Sequence, residues 1–281
     1  TLVLVALTLR VVSEQASADN EDHIARIIVD GAIATNPGRL AAIERLAGNE
    51  RVKAVVVRIN SPGGSTAGGE ELYEALRRLG EDKPVVAVIN ELGASAAYMT
   101  AVASDRIFAR RLSLVGSVGV LYQHFNAAGL LQTIGVDIDK VASGELKAEP
   151  DSDEPLEGAA RASLQALVDD SFDWFLQVVS ERRDLDEATV LSIADGHIMN
   201  GRVALEIGLI DEFGGEFEAQ RWLENRIDAE EMKILTYWPP AKTELERWME
   251  LLGAEARSAV GLDPASLASL DGLVSLWQAG E

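Results

Sequence analysis

Cysteine is absent from the 281 residues. That excludes a disulfide framework, a thiolate nucleophile and any cysteine-based metal site. Histidine is scarce: His23, His124 and His197 are the three present, with no HxxxH-type spacing. A zinc hydrolase is therefore disfavoured, and no metal or cofactor is expected. Positive charge is also short, with 25 Lys and Arg against 46 Asp and Glu, a formal net charge of -21. Phosphate backbones are held by Lys and Arg, so nucleic acid is not an expected partner. The apolar opening TLVLVALTLRVV falls short of the ~20 residues that span a bilayer. It begins on Thr rather than Met, and the polar SEQASADNED follows it. It reads as the remnant of a truncated membrane anchor with its linker, residues 1–22.

What the chain does have is 47% hydrophobic residues, enough for a large core. Apolar β-rich runs alternate with helical patterns from His23 onward. His23 to Ile33, Val52 to Ile59, Val85 to Ile89, Arg106 to Ala109, Val118 to Tyr122 and Val136 to Val141 read as strands. Helices are expected over Arg39–Ala47, Ala67–Leu79, Ala94–Ala103 and Phe125–Ile134. This order predicts an α/β fold with a mostly parallel sheet and crossover helices. From Leu156 a long helix runs to Arg183. Shorter helices open at Asp186, over Arg202–Ile207 and after Gly214-Gly215, and Met232–Tyr237 is a candidate late strand. Beyond Lys242 the pattern is acidic and helical. Residues 23–228 are expected to form the main domain, and 229–281 an extension for oligomer or partner contact.

The stretch around Ser95 organises this reading. The run Val85–Ile89 is broken by Asn90, Glu91 and Gly93, then followed by small residues and a helical pattern. This is strand, sharp turn, helix, with one hydroxyl at the helix start. Helix N-termini leave amides unpaired and favour negative charge. An oxyanion formed in acyl transfer would be stabilised there. The plainer reading of Ser95 is an N-cap or a packing residue. The turn Ser61-Pro62-Gly63-Gly64 ends the preceding strand, and its glycines can present bare backbone amides. One amide from Gly63-Gly64 and one from Ala96 would make a two-donor oxyanion hole.

A serine nucleophile needs a base. His23, at the start of the first strand, is expected to face solvent, and His197 to serve a loop. His124 is the best placed of the three. Lysine is the other option where burial lowers its pKa. Lys53, Lys83, Lys233 and Lys242 are poorly placed, and Lys140 in VDIDKV reads as a solvated edge charge. Lys147, in SGELKAEP, follows a strand end, where sites are built, although a solvated surface lysine is the plainer reading.

Four pieces in order, INSPGG at 59–64, GASAAYMTAVASDRIFA at 93–109, VGSVGV at 115–120 and SGELKAEP at 143–150, resemble the signal peptide peptidase A family in its single-domain bacterial form. ADGHIMNGRVALEIGLIDEFGG, 194–215, resembles that family's closing segment. The resemblance covers roughly His23 to Arg226. It implies the Clp protease/crotonase-like fold, a spiral of βαβ units, here with a helical C-terminal extension. It implies a membrane-associated serine endopeptidase, on the extracytoplasmic side of a bacterial membrane, that degrades cleaved signal peptides with a Ser–Lys dyad. By the resemblance, Ser95 falls on the nucleophile, Lys147 on the general base and Ser117 on the serine that holds the lysine amine. Gly64 and Ala96 fall on the oxyanion-hole amides, with Gly63 beside them. The partners implied are signal-peptide substrates and further copies of the chain, in an octamer whose sites neighbours complete.

Three departures stand out. Ala96-Ala97 replaces a frequent Gly-Gly after the nucleophile, and Val115 a frequent Thr. The loop after Lys147 is unusually acidic, and carboxylates close to a lysine raise its pKa. Two alternatives share the fold: a crotonase-type acyl-CoA hydratase or isomerase, and an inactive protease-like scaffold.

Overall fold

The computed structural model describes residues 21–240 and the strand Leu273–Leu276. The expected anchor remnant, up to residue 20, and most of the expected helical extension lie outside the described residues. In chain order the first elements are β1 (His23–Asp30), α1 (Pro37–Gly48), β2 (Val52–Ser61), β3 (Gly63–Ser65), α2 (Thr66–Asp82) and β4 (Val85–Ala94). Next come α3 (Ala96–Val102), β5 (Arg106–Ala109), β6 (Leu114–Gly116), β7 (Leu121–Tyr122) and α4 (Ala128–Ile134). Then follow α5 (Gly158–Arg183), α6 (Glu187–Ile193), β8 (Ile198–Asn200), α7 (Gly201–Glu206), β9 (Glu212–Phe213), α8 (Glu216–Arg226), β10 (Lys233–Trp238) and β11 (Leu273–Leu276).

The main sheet runs β10-β1-β2-β4-β5-β9, and every pairing along that path is parallel. Its central strands read as unbroken apolar runs because both faces are covered. Ala25, Ile27, Val57, Ile59, Ala87 and Ile89 point to a core shared with α1, α2 and α3. The alternate residues Ile24, Val56, Val86 and Val88 meet Ala219 and Leu223 of α8 on the other side. The period of two in the strand thus assigns each side chain to one of two cores.

β4 is longer than its apolar run. Its first half pairs with β5, and after Asn90 and Glu91 its second half, Leu92 to Ala94, pairs with β6. β6 in turn pairs antiparallel with β8. The sheet therefore branches just before Ser95.

Several expectations need correction. Val136–Val141 is not a strand but exposed loop between α4 and α5, because alternation needs a neighbouring strand and this segment has none. Of Val118–Tyr122 only Leu121–Tyr122 is strand, and β6 precedes it unforeseen. Helix α4 begins at Ala128 rather than Phe125. His23 does not face solvent. It is fully buried and stacked on Tyr237, with Nδ1 2.7 Å from the Glu21 carbonyl and Nε2 2.8 Å from the Tyr237 hydroxyl. The late strand β10 lies beside β1, and His23 pins that edge of the sheet.

Candidate active site

Parallel strands bring their carboxyl ends to one edge, and here that edge carries the chemistry. Ser61 of β2 is in register with Gly93 of β4. The turn at Gly63-Gly64 and the residue Ser95 therefore leave neighbouring strands at the same level. Gly63 adopts φ 104, with its amide donating to Ser61 Oγ at 3.1 Å. The Ile33 amide donates to the Gly63 carbonyl, and the Ser65 amide to the Ile33 carbonyl, both at 2.8 Å. A Cβ on Gly64 would lie 1.8 Å from the Ile33 carbonyl oxygen, so no other residue fits that backbone path. Ser65 then caps α2, its Oγ accepting from the Gly68 amide at 3.1 Å.

Ser95 stands at φ 59, ψ -124, a conformation that is costly for a residue with a Cβ. Its side chain makes no cap hydrogen bond to α3, which removes the plain N-cap reading. Its amide donates to the Gly116 carbonyl at 2.8 Å, and its carbonyl accepts from the Met99 amide at 2.9 Å. Such backbone outliers persist only where the surroundings over-determine them, at a cost of about 1–3 kcal/mol. The surroundings here are rigid: all seven residues of α3 are buried. The Tyr98 hydroxyl donates to the Leu209 carbonyl at 2.8 Å, and burial pushes that phenol's pKa up. Arg183 grips Asp211 below it through two bonds of 3.0 and 2.8 Å.

The amide of Ala96 opens α3, where no preceding helical carbonyl can accept from it. Ala96 is touched from α2. A Cβ placed on Gly69 would lie 3.0 Å from the Ala96 Cβ and 3.2 Å from Met99 Sδ. This close approach had no signal in the sequence beyond the pair Gly68-Gly69 in an otherwise ordinary amphipathic helix.

Ser117 follows Gly116 directly, so the bond from Ser95 to Gly116 brings the two serines together. Ser117 also has positive φ, 52, and is buried. Its amide donates to the His197 carbonyl at 2.8 Å. The segment 194–215 thus contributes a backbone prop for Ser117 rather than a base. The His197 imidazole is exposed and pairs with Asp195. His124 Nε2 lies 2.8 Å from the Asp151 carbonyl.

Lys147 is the residue not brought in. It is exposed in the turn after Ser143-Gly144, its amide donating to the Gly144 carbonyl at 3.1 Å. The acidity of its loop has another addressee. Lys140, expected as a solvated edge charge, bonds Glu149 at 2.9 Å, Asp151 at 3.4 Å and Glu154 at 2.8 Å. Glu154 and Glu149 push the Lys140 ammonium well above the usual lysine range, and Lys140 holds Glu149 below the usual carboxylate range. The carboxylates expected to act on Lys147 fold its loop instead.

A cavity of about 590 Å³ lined by Glu21, Asp22, Lys53 and Glu231 lies at the opposite ends of the strands. It holds none of the residues above. Among the described residues no group of His, Asp and Glu is arranged to hold a metal ion.

Residues 77–230 match the model of peptidase family S49. The chain belongs to peptidase family S49. The matched span includes Ser95, Ser117 and Lys147. "Putative protease slr0021" of Synechocystis is 38% identical over 201 residues, 71% of this chain and 72% of that protein. "Putative signal peptide peptidase SppA" of Enterococcus faecium is 29% identical over 199 residues, covering 70% of this chain and 58% of the relative. "Serine protease SPPA, chloroplastic" of Arabidopsis thaliana is 28% identical over 208 residues, covering 69% of this chain and 31% of the relative. The chain spans less than two thirds of those last two relatives. The S49 family has the Clp protease/crotonase-like fold, in accord with the mixed α/β architecture and parallel sheet seen here. The chain is a serine peptidase.

Proposed function

We propose that this serine peptidase is a membrane-associated endopeptidase that degrades cleaved signal peptides with Ser95 as nucleophile and Lys147 as general base. The observation that carries the reading is the backbone of Ser95. A serine held at φ 59 on a strand end, beside the bare Gly64 turn and bonded through its amide to the residue before Ser117, has no structural use for that strain.

In this mechanism the neutral Lys147 amine takes the proton of Ser95 Oγ as the oxygen adds to the peptide carbonyl carbon. The amides of Gly64 and Ala96, with Gly63 shaping the turn, receive the negative oxygen. Lys147 passes its proton to the leaving amine, and the acyl-enzyme forms. Water then adds to the ester, giving its proton back through Lys147, and the carboxylate product leaves. Ser117 holds the lysine amine in line.

Lys147 reaches Ser95 in an assembly of copies. Helix α4 has no buried residue. Phe125, Leu130, Ile134, Ile138, Val141 and Leu146, in the segment that leads to Lys147, are all exposed. An isolated short helix with an uncovered apolar surface is marginal in water, and a neighbouring subunit is what would cover it. That supports a homo-oligomer, an octamer by the family resemblance, in which the lysine loop docks on the serine of a neighbour. The domain from 23 to 228 carries the site, and the apolar opening supports an anchor that keeps it on the extracytoplasmic side of a bacterial membrane. No helix among the described residues is long and apolar enough to cross a membrane.

The test is peptidase assay of the chain against Ser95→Ala on an apolar signal-peptide sequence, with fluorophosphonate labelling of both. Activity and label should both disappear in the variant, the activity by roughly 10⁴-fold. Full peptidase activity without Ser95 would sink the mechanism.

A further inference from the structure

The formal net charge of -21 is unevenly spread. At the carboxyl ends of β5 and β9 the exposed charge is positive. The two strands pair in parallel, Phe108 opposite Glu212 and Ala109 opposite Phe213. Arg110 and Arg111 leave the first strand, and Gly214-Gly215 leaves the second to start α8. Arg111 lies over the Phe213 ring, 5.9 Å from its centre. A Cβ on Gly215 would lie 3.4 Å from Arg110 Nη2. On α8, Arg221 lies over the Phe217 ring, again 5.9 Å from its centre. The nearby carboxylates have other partners: Glu216 is held by Arg26, Glu212 by Arg106 and Glu206 by Arg202. Glu218 is within electrostatic reach of Arg110 and Arg221, but its carboxylate accepts from the Gly215 amide at 2.7 Å. Arg110, Arg111 and Arg221 are all exposed.

Uncovered apolar side chains stand beside these charges. Leu112, next to Arg111, is 79% exposed, and Phe217 is 66% exposed. The turn that carries Leu112 is braced from three sides. The Arg110 amide donates to Ser113 Oγ at 3.0 Å, and the Ser113 amide donates to the Arg110 carbonyl at 3.1 Å. The Arg202 amide donates to the Arg111 carbonyl at 3.2 Å. A Cβ on Gly201 would lie 2.1 Å from the Arg110 carbonyl oxygen, so α7 closes over the turn. Leu112 is thus presented to solvent by a fixed backbone.

We propose that Leu112 and Phe217, with Arg110, Arg111 and Arg221, form a docking surface for an anionic lipid bilayer. The proposal deepens the membrane association proposed above and is independent of the chemistry assigned to Ser95 and Lys147. Apolar side chains enter the boundary between headgroups and acyl chains, while arginines meet the lipid phosphates. The arginine stems lie along the apolar rings and the heads reach outward. An acidic protein surface would answer the arginines alone, whereas the apolar tips beside them require an apolar phase as well. Charge complementarity also fixes the orientation. A chain this acidic is repelled by an anionic surface, and charges more than about 8–10 Å from that surface are screened. Only a locally basic face can approach. That face lies at the carboxyl edge of the parallel sheet, the edge that carries Gly64 and Ser95. Docking there turns the proposed site toward the bilayer, the phase that an apolar peptide leaves.

The test is co-sedimentation of the full chain with two kinds of vesicle, phosphatidylcholine alone and phosphatidylcholine mixed with phosphatidylglycerol. Two double variants are compared with it, Arg111→Gln with Arg221→Gln, and Leu112→Ser with Phe217→Ser. Each arginine near an anionic leaflet strengthens binding by about fivefold. The arginine variant should therefore bind the anionic vesicles about 25-fold more weakly and the neutral vesicles as before. The apolar variant should bind both kinds about tenfold more weakly. Both should keep the wild-type melting temperature and the wild-type hydrolysis of a short soluble peptide, since these side chains are exposed and touch none of the proposed site. Wild-type binding by both variants would overturn the proposal while leaving membrane association standing, held by the apolar opening alone. Failure of the full chain to bind either vesicle would overturn both. Sedimentation velocity without vesicles is read in parallel. If the variants lose self-association and keep vesicle binding, the proposal fails and the surface belongs to a second copy of the chain.

Discussion

The amide of Ser95 donates to the carbonyl of Gly116 at 2.8 Å, and the next residue, Ser117, donates to His197 at the same distance. The pairing of β4 with β6 thus holds both serines, each at positive φ, between the branch of β4 and the edge strand β8. Gly116 is the pivot. It stands at φ 102, and a Cβ there would lie 3.3 Å from the His197 carbonyl oxygen.

Gly116→Ala is therefore expected to cost about 1–3 kcal/mol of stability, and to lower peptidase activity by more than the folded fraction explains. Denaturant unfolding set beside kcat/KM checks this. A variant with lost stability but wild-type specific activity would show that the pivot supports the fold alone.

Gly64→Ala and Gly69→Ala should separate. The first places a Cβ 1.8 Å from a backbone oxygen that cannot yield, so the turn must move and activity should vanish. The second places one 3.0 Å from the Ala96 side chain. Alanine favours a helix over glycine by about 1 kcal/mol, so Gly69→Ala should keep most of its stability. It should nevertheless lower kcat by about tenfold, because Ala96 carries one of the two oxyanion donors. Thermal melts with steady-state kinetics on both variants test the contrast. Unchanged kcat in Gly69→Ala would remove Ala96 from the hole.

The pH profile distinguishes the base. A charged ammonium cannot accept the Ser95 proton, so activity should rise on the alkaline side of neutrality, about tenfold per unit below the controlling pKa. Lys147→Arg should be inactive, since arginine does not deprotonate usefully. His124→Ala and His197→Ala together should leave the profile in place. A rate that rises through about pH 6.5 and is lost with His124→Ala would move the base role to histidine. His23 is left out of this test because its ring is a buried part of the sheet edge.

The Lys147 loop should open in acid. Lys140 holds Glu149 below its ordinary value of 4.5, so that contribution is present above 4.5 and lost as pH falls through the lowered value. Lys140 itself is raised above 10.5, so its contribution holds below that pH and is lost only as pH rises through the raised value. Between 4.5 and 10.5 the clasp is complete. Limited proteolysis within 136–157 should accelerate well below 4.5. In Lys140→Gln it should already be fast at neutral pH. Equal cleavage of the two proteins at neutral pH would count against the clasp.

The main sheet and the strand-end residues were legible in the sequence because burial on both faces writes itself as runs such as VVAVI. Gly-Gly and the small residues after Gly93 likewise mark where backbone must pass closely. The misreadings share one physical cause. Val136–Val141 alternates with Asp137 and Asp139 as a half-buried strand would, yet alternation says nothing about whether a neighbouring strand exists. The pairing of Lys140 with Glu149 and Glu154 depends on how the loop folds back, over nine and fourteen residues, and no local pattern encodes it. His23 looked exposed because its cover, Tyr237, comes from the other end of the domain. The Gly69 contact and the Ile33 clamp on Gly64 are backbone approaches between elements, visible only once those elements are packed.

The pairing of β1 with β10 has a consequence for how the protein is made. β1 leaves the ribosome about two hundred residues before β10 does. At about 5–20 residues per second this is an interval of roughly 10–40 s. Through that interval the outer edge of HIARIIVD has no partner, and an apolar open edge invites pairing with other chains. β10, the last strand of the main sheet to be synthesised, covers the edge of the first and becomes the edge strand itself. Non-local pairing of this kind forms slowly, so the apolar edge of the first strand stays open for longer than any other pairing in the sheet requires.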